Sequence, residues 1–167
     1  MLIRAEEERH WPSVYALNAA VFETPAEADL VDALRREPRP MISLVADDAG
    51  EIVGHIMFSP VTLIGHPGLR IMGLAPMAVV AHRQRSGIGT LLVRAGLEAC
   101  KEIGAGAVVV LGHPDYYPRF GFVPAVNFAI GCEYAVPAEA FMAVELRPGY
   151  LRGVSGTVKY LAPFDNL

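Results

Sequence analysis

Gln84-Arg85-Ser86-Gly87-Ile88-Gly89 sets two glycines, a hydroxyl and a cation directly ahead of an apolar-periodic run. If that run is a helix, its first N–H groups have no intrahelical acceptor. Their partial positive charge suits an anion. Gly87 and Gly89 let a ligand approach the backbone closely, while Arg85 and Ser86 add charge and a hydroxyl. This is the chemistry of a pyrophosphate cradle. Two known phosphate loops fail to match. The nucleotide-triphosphate loop needs four residues between its glycines and then Gly-Lys-Ser/Thr, whereas Ile88 alone separates Gly87 from Gly89 and Thr90 follows. The dinucleotide fingerprint needs a third glycine where Leu92 stands.

Periodicity predicts the elements that hold this turn. Leu2-Ile3-Arg4 reads as an opening strand. Trp11, Val14, Leu17, Ala20 and Val21 recur at spacings of three or four and predict a helix over 9–22, with Pro12 near its start. A second helix after Pro25 turns Leu30, Val31 and Leu34 inward and stops at Pro38-Arg39-Pro40. Met41–Ala46 and Glu51–Pro60 predict a hairpin with a slightly longer loop through Asp47–Gly50; Gly65–Gly68 is the next loop. Arg70–Ala81 is a strand region containing Pro76, which lacks the N–H of an inner ladder and signals an edge, a bulge or a distortion. After the glycine turn, Ile88, Leu91, Leu92, Ala95, Ala99 and Ile103 line one helical face, interrupted by Gly96, with Lys101 near the end and Gly104 as terminator. Ala107–Leu111 reads as a strand buried on both faces. A short helical turn follows over Asp115–Phe120, and Phe141–Leu146 and Thr157–Leu161 read as antiparallel strands. The order predicts an α/β fold of the mixed-sheet kind, with one parallel step through the helix after the glycine turn.

A chain of 167 residues fits one domain, able to bury about two thirds of its unfolded surface. Its core is expected over about 1–125, with C-terminal strands over about 126–167. The hydrophobic fraction is 53% and the mean hydropathy +0.34. Even so, no run of about 18 apolar residues suggests a membrane span. The acidic start Glu6-Glu7-Glu8 is unlike a secretory signal. A net charge of −4 argues against a nucleic-acid footprint. Cys100 and Cys132 form no CxxC pair; no metal is expected, and two reduced thiols suit a cytoplasmic protein.

The glycine turn, as Gln-x-x-Gly-x-Gly after a strand, resembles the signature of the GNAT superfamily of N-acetyltransferases. The likeness extends upstream through Leu74-Ala75-Pro76-Met77-Ala78-Val79-Val80, similar to the family's fourth strand. Downstream it extends through Tyr117-Pro118-Arg119-Phe120-Gly121-Phe122, which looks like its Tyr-x-x-x-Gly-Phe element. The run Gly112-His113-Pro114-Asp115-Tyr116-Tyr117 resembles a YhbS-like bacterial subgroup. The resemblance implies the acyl-CoA N-acyltransferase fold: a mostly antiparallel sheet with a splayed parallel strand pair, flanked by helices. It implies acetyl-CoA as co-substrate and a small-molecule or peptide amine as acceptor, with a homodimer left open.

By position in the family, Met77, Ala78 and Val79 would meet the pantetheine, and the Val79 N–H would donate to the acetyl carbonyl. Gln84, Arg85, Ser86, Gly87, Ile88, Gly89 and Thr90 would cradle the pyrophosphate, and Pro76 would mark the strand bulge. Tyr117, four residues before Gly121, would be the general acid for the departing thiolate, with Tyr116 expected to point elsewhere. A cofactor-contacting asparagine common in the family is missing; His113 or Asp115 stands near its place, Asp115 also fitting a helix N-cap. The base that frees the amine is open among His55, His82, His113, Glu23 and Glu27, and by family position the loop Phe22–Asp29 could form part of the acceptor site. Two rivals stay on the table: a non-catalytic acyl-CoA-binding or sensing domain, and an assembly protein using Phe128, Tyr134, Phe141, Tyr150 and Tyr160 as an interface.

Overall fold

The computed structural model describes every residue from Met1 to Leu167. Its elements run β1 Leu2–Ala5, α1 Trp11–Val21, α2 Ala26–Arg35, β2 Ile42–Asp48, β3 Glu51–Leu63, β4 His66–Val79, α3 Ile88–Glu102, β5 Ala107–Leu111, β6 Val123–Pro124, β7 Ile130–Cys132, β8 Phe141–Glu145 and β9 Gly156–Lys159. The strands join in one mixed sheet of order β1-β2-β3-β4-β5-β8-β6, with β9 paired to the end of β3 and to β7. The expected parallel step is present: Ile71–Leu74 of β4 pair with Ala107–Val110 of β5, joined through α3. No helix is long and apolar enough to cross a membrane.

Side chains alternate across a strand, so β3 feeds two cores. Met57 joins Val14, Leu30, Val31 and Leu34 of α1 and α2 on one face. Ile56 and Phe58 join Ile88, Leu92, Val93 and Cys100 of α3 on the other. The buried stripe of α3 is thus rotated from the one expected: Leu91 is 46% and Ile103 43% exposed, while Val93, Gly96 and Cys100 face inward. This helix is apolar on several sides, so periodicity alone does not choose the face. The packing of Phe58 does, because its ring occupies the space where a Gly96 Cβ would stand. Trp11 likewise turns outward, 41% exposed, with the Arg35 guanidinium 5.0 Å above its ring. Arg35 also pairs with Glu6 and Asp32, tying the end of β1 to α2.

Two loops are tighter than expected. β2 and β3 are joined by Ala49 and Gly50 alone, both at positive φ, as a two-residue hairpin turn demands. β3 and β4 meet at Ile64–Gly65, so His66–Gly68 belongs to β4 instead of a loop. In the C-terminal part β8 is antiparallel to β5 and β9 to β3, as expected, and β9 also runs parallel to the short β7. Phe141, Tyr160 and Phe164 are buried, with Phe128, Tyr134 and Tyr150 packed against that core instead of forming an exposed interface.

His55 on β3 is fully enclosed. Asn18 Nδ2 faces its Nδ1 at 3.3 Å and also donates to the Val14 carbonyl at 3.0 Å. An amide nitrogen only donates, so Nδ1 accepts and Nε2–H donates to Ser43 Oγ at 2.9 Å. Burial, helped by the Arg35 charge, pulls the His55 pKa down to about 3. Between that value and the ordinary 6.5 the unfolded chain holds a proton that the native ring lacks. Stability is therefore lost as pH falls through this window, approaching about 1.4 kcal/mol per pH unit from this one group. His55→Gln should flatten the dependence of the denaturant midpoint on pH from about 6 to about 4.5; parallel slopes would show that the native ring is charged. Gly96→Ala should cost about 1–3 kcal/mol by overpacking against Phe58, outweighing alanine's helix-propensity gain of about 1 kcal/mol. Thermal or denaturant melts check the sign, and a stabilised variant would contradict the packing.

Candidate functional site

One break in the sheet builds the site. Along the β3–β4 ladder Ile56 pairs with Met77 and Phe58 with Leu74, leaving Met57 opposite both Ala75 and Pro76. That is a bulge, and Pro76 stands just past the point where β4 ceases to be flanked on both sides. The ladder to β5 stops at Leu74, immediately before the bulge. β4 then runs on to Val79 with no partner on that side. Val80 N–H donates to the Val53 carbonyl at 2.9 Å, which makes Gly54 and Val79 a non-hydrogen-bonded pair. The N–H and C=O of Val79 therefore point away from β3 and into the gap. Gln84 Nε2 donates to that carbonyl at 3.0 Å and ties the following turn to the strand end.

The turn leads directly into α3. Arg85 and Gly87 take positive φ, of 62° and 91°, and Gly87 is the N-cap. No side chain caps the helix. Its first intrahelical donor is Leu91, bonded to the Gly87 carbonyl at 3.1 Å, so the N–H groups of Ile88, Gly89 and Thr90 are left over. A Cβ on Gly89 would lie 3.0 Å from Tyr116 Oη and 3.8 Å from Met77 Cε. The strand, the helix start and the tyrosine loop thus converge on this glycine. Ser86 Oγ donates to the Arg83 carbonyl, and Arg83 pairs with Asp48 at 2.8 Å.

The gap and the helix start open into one cleft of about 950 Å³. Of the expected residues it brings together Pro76, Met77, Val79, Gln84, Arg85, Gly87, Gly89, Thr90 and Tyr117. Ala78, Ser86 and Ile88 do not line it: Ala78 and Ile88 are buried, and Ser86 is used within the turn. Both tyrosines face the cleft, contrary to the expectation for Tyr116. Their rings stand edge to face, with centroids 5.1 Å apart. Tyr117 is 7% exposed, its ring against Gly112 where a Cβ would stand and against Phe122 at 5.6 Å. Burial, and then the neighbouring Tyr116, push its pKa up to about 12. Arg119 stacks over Tyr116 at 4.4 Å and holds its carbonyl at 2.8 Å.

Among the candidate bases only His113 and Glu27 line the cleft. His55 is sealed in its own network, and its lowered pKa keeps it neutral. Asp115 makes no N-cap: the short turn Tyr117–Phe120 has Tyr116 at that position and no side-chain cap. Sequence reasoning missed Gly112, Leu111 and Arg119 as cleft residues and read Leu30 only as a helix residue, whereas Phe22 and Glu27 fall in the loop Phe22–Asp29 that family position offers as part of the acceptor site. Arg119 was findable, since it lies inside the Tyr117–Phe122 element. Gly112 was not, because its role depends on a ring that folds back onto it.

Residues 2–125 match the family model described as an acetyltransferase (GNAT) domain. The chain is 39% identical over 166 residues to the uncharacterized N-acetyltransferase YhbS of Escherichia coli (strain K12), spanning 99% of each chain. The crystal structure of E. coli YhbS in complex with CoA matches with a TM-score of 0.93 at 38% identity, over 98% of this chain and 91% of that one. A GNAT acetyltransferase from Brucella melitensis in complex with acetyl-CoA matches with a TM-score of 0.81 at 32% identity, over 98% of this chain and 97% of that one. These matches bear out the resemblance read from the sequence, the YhbS-like subgroup included. By its motifs, its splayed strand pair and these relatives, the chain belongs to the GNAT family of acetyltransferases.

Proposed function

We propose that this chain moves the acetyl group of acetyl-CoA to a primary amine by direct attack, and that residues 1–167 work as one catalytic domain. The observation that carries the reading is the continuity of two features in one cleft. The unpartnered N–H of Val79 in the strand gap and the leftover N–H groups at the start of α3 open onto the same space. The first suits a polarised carbonyl oxygen and the second a pyrophosphate. A relative sharing 38% identity binds CoA and one sharing 32% binds acetyl-CoA, which supports the same ligand here. The free thiols Cys100 and Cys132 suit a reducing compartment, the cytoplasm.

In this reading the N–H groups of Ile88, Gly89 and Thr90 hold the pyrophosphate, with Arg85 and Arg119 supplying positive charge at the same cleft. Met77 and Val79 face the pantetheine with their backbone. The Val79 N–H donates to the acetyl oxygen and gains strength as the amine nitrogen attacks and negative charge builds there in the tetrahedral intermediate. As the C–S bond breaks, Tyr117 Oη gives its proton to the departing sulfur, and the proton shed by the attacking nitrogen restores the phenol. With its pKa raised to about 12 it keeps that proton throughout the neutral range. No covalent acyl-enzyme is needed: Cys100 is buried, and burial pushes its pKa up to about 12, away from a nucleophilic thiolate.

Tyr117→Phe should lower kcat by about 10²- to 10⁴-fold while the acetyl-CoA affinity stays within a few-fold. Because Tyr117 is protonated at every assay pH near neutrality, the loss should be the same across that range. Steady-state kinetics over an amine panel, read by thiol release, checks both points, and an undiminished rate would move the acid role elsewhere. Gly89→Glu places a carboxylate against Tyr116 and the leftover N–H groups. It should weaken CoA binding at least about tenfold in calorimetry; undiminished affinity would misplace the cradle.

A further inference from the structure

The cleft is charged unevenly. Arg83, Arg85 and Arg119 line it, and Glu27 is the single acidic side chain among its lining residues. Glu27 stands in the first turn of α2, between Phe22 and Leu30, which line the same cleft. A first-turn glutamate ordinarily complements the helix dipole or bonds a free N–H. Here the helix start uses other groups: Ala26 N–H donates to Thr24 Oγ1 at 3.3 Å, and Asp29 N–H donates to the Pro25 carbonyl at 2.9 Å. Glu27 Oε2 is buried and accepts no hydrogen bond, and none of the molecule's six ion pairs includes Glu27.

A buried, unpartnered carboxylate oxygen is costly. Its cost is recovered when a cation or donor arrives from outside the chain. The carboxylate of Glu6, also largely buried, is paired with Arg35. Glu27 has no such partner on either oxygen: Oε2 is turned inward, and the residue lines the cleft, which leaves Oε1 as the oxygen open to a ligand. The arginines there stand on the turn after β4 and in the tyrosine loop, and they suit the phosphates of the cofactor. Glu27 comes from α2, beside two apolar side chains, and suits an ammonium on a hydrocarbon stem.

We propose that Glu27 is the docking carboxylate for the acceptor, and that the acceptor is a cationic alkyl diamine: one ammonium stays protonated and pairs with Glu27, the stem lies against Phe22 and Leu30, and the other amino group, its proton lost to solvent, is the nitrogen that attacks. The proposal rests on the acetyl-transfer reading and names its substrate class. Such a pair is a charge-assisted hydrogen bond, stronger than a neutral one. Anionic acceptors would meet the like charge of Glu27, and neutral ones would leave it unpaired.

The test is calorimetry of wild-type protein and Glu27→Gln with a series of primary alkylamines and α,ω-diamines, and with the alcohols and carboxylates of the same chain lengths. It is run on the CoA-saturated protein and again without CoA. Wild type should bind the best amine at least about tenfold more tightly than the matched alcohol, and carboxylates more weakly still. Glu27→Gln should lose that preference with CoA affinity unchanged, and its melting temperature should not fall, since the carboxylate makes no hydrogen bond or ion pair that the substitution would break. In turnover assays the variant should show the loss chiefly in the KM of the amine. A variant that keeps the amine preference, a wild type that binds alcohols as well as amines, or no amine binding in either state would overturn the proposal. So would a lowered melting temperature with amine affinity intact, which would make Glu27 structural. Failure of CoA itself to bind would instead overturn the acetyl-transfer reading, and the arm without CoA would still read Glu27.

Discussion

A proline in a sheet has no N–H for a neighbouring strand, and here that shortfall falls at Pro76, within the β3–β4 ladder and just past the last β4–β5 pair. The ladder accommodates it by setting Ala75 and Pro76 together opposite Met57. Immediately before that irregularity the pairing of β4 with β5 ends. Val79 is then left with its backbone polar groups facing space instead of a strand. Unpaired backbone groups in a folded interior are rare because they are costly. One that opens onto a cleft is available to a ligand. The Val79 carbonyl is already satisfied by Gln84, so the N–H is the group with work left to do.

The start of α3 is brought beside that strand end by close packing. Gly54, the partner of Val79, has no side chain, and Ile88 and Leu92 press into the space where its Cβ would be, 3.0 Å from each. Further along, Gly96 admits the Phe58 ring. Two glycines on opposite partners thus let helix and sheet approach at both ends of the contact. The left-handed residues Arg85 and Gly87 turn the chain into the helix. Its leftover N–H groups consequently face the same cleft as Val79, and the tyrosine loop closes the space from the β5 side.

Buried polar groups in this molecule fall into two kinds. His55 is surrounded by groups that complete its hydrogen bonds, and its enclosure keeps it neutral and internal. Tyr117 is nearly as buried, yet it lines the cleft, and its enclosure strengthens its hold on a proton. Burial therefore excludes one ionisable group from chemistry and prepares another. Exposure to the cleft, not burial, separates them. Glu27 belongs with Tyr117 by this criterion.

The order of elements, the parallel step through α3 and the phosphate-type turn were legible in the sequence. They rest on local signals: glycine spacing, apolar period and the missing N–H of Pro76. Those signals act within a few residues, so the chain alone determines them. The rotation of α3, the outward turn of Trp11 and the parallel pairing of β7 with β9 were not legible. Each is decided by a partner distant in sequence, such as Phe58 for Gly96 or Arg35 for Trp11. The same holds at the site. Sequence spacing proposed five bases and one tyrosine, whereas the fold admits only His113 and Glu27 of the five to the cleft and turns both tyrosines toward it. Residue types determined what chemistry the chain could attempt; which of them share a cleft was decided only when the two faces of the sheet were packed, because a side chain's access and charge environment are set by neighbours the local sequence does not contain.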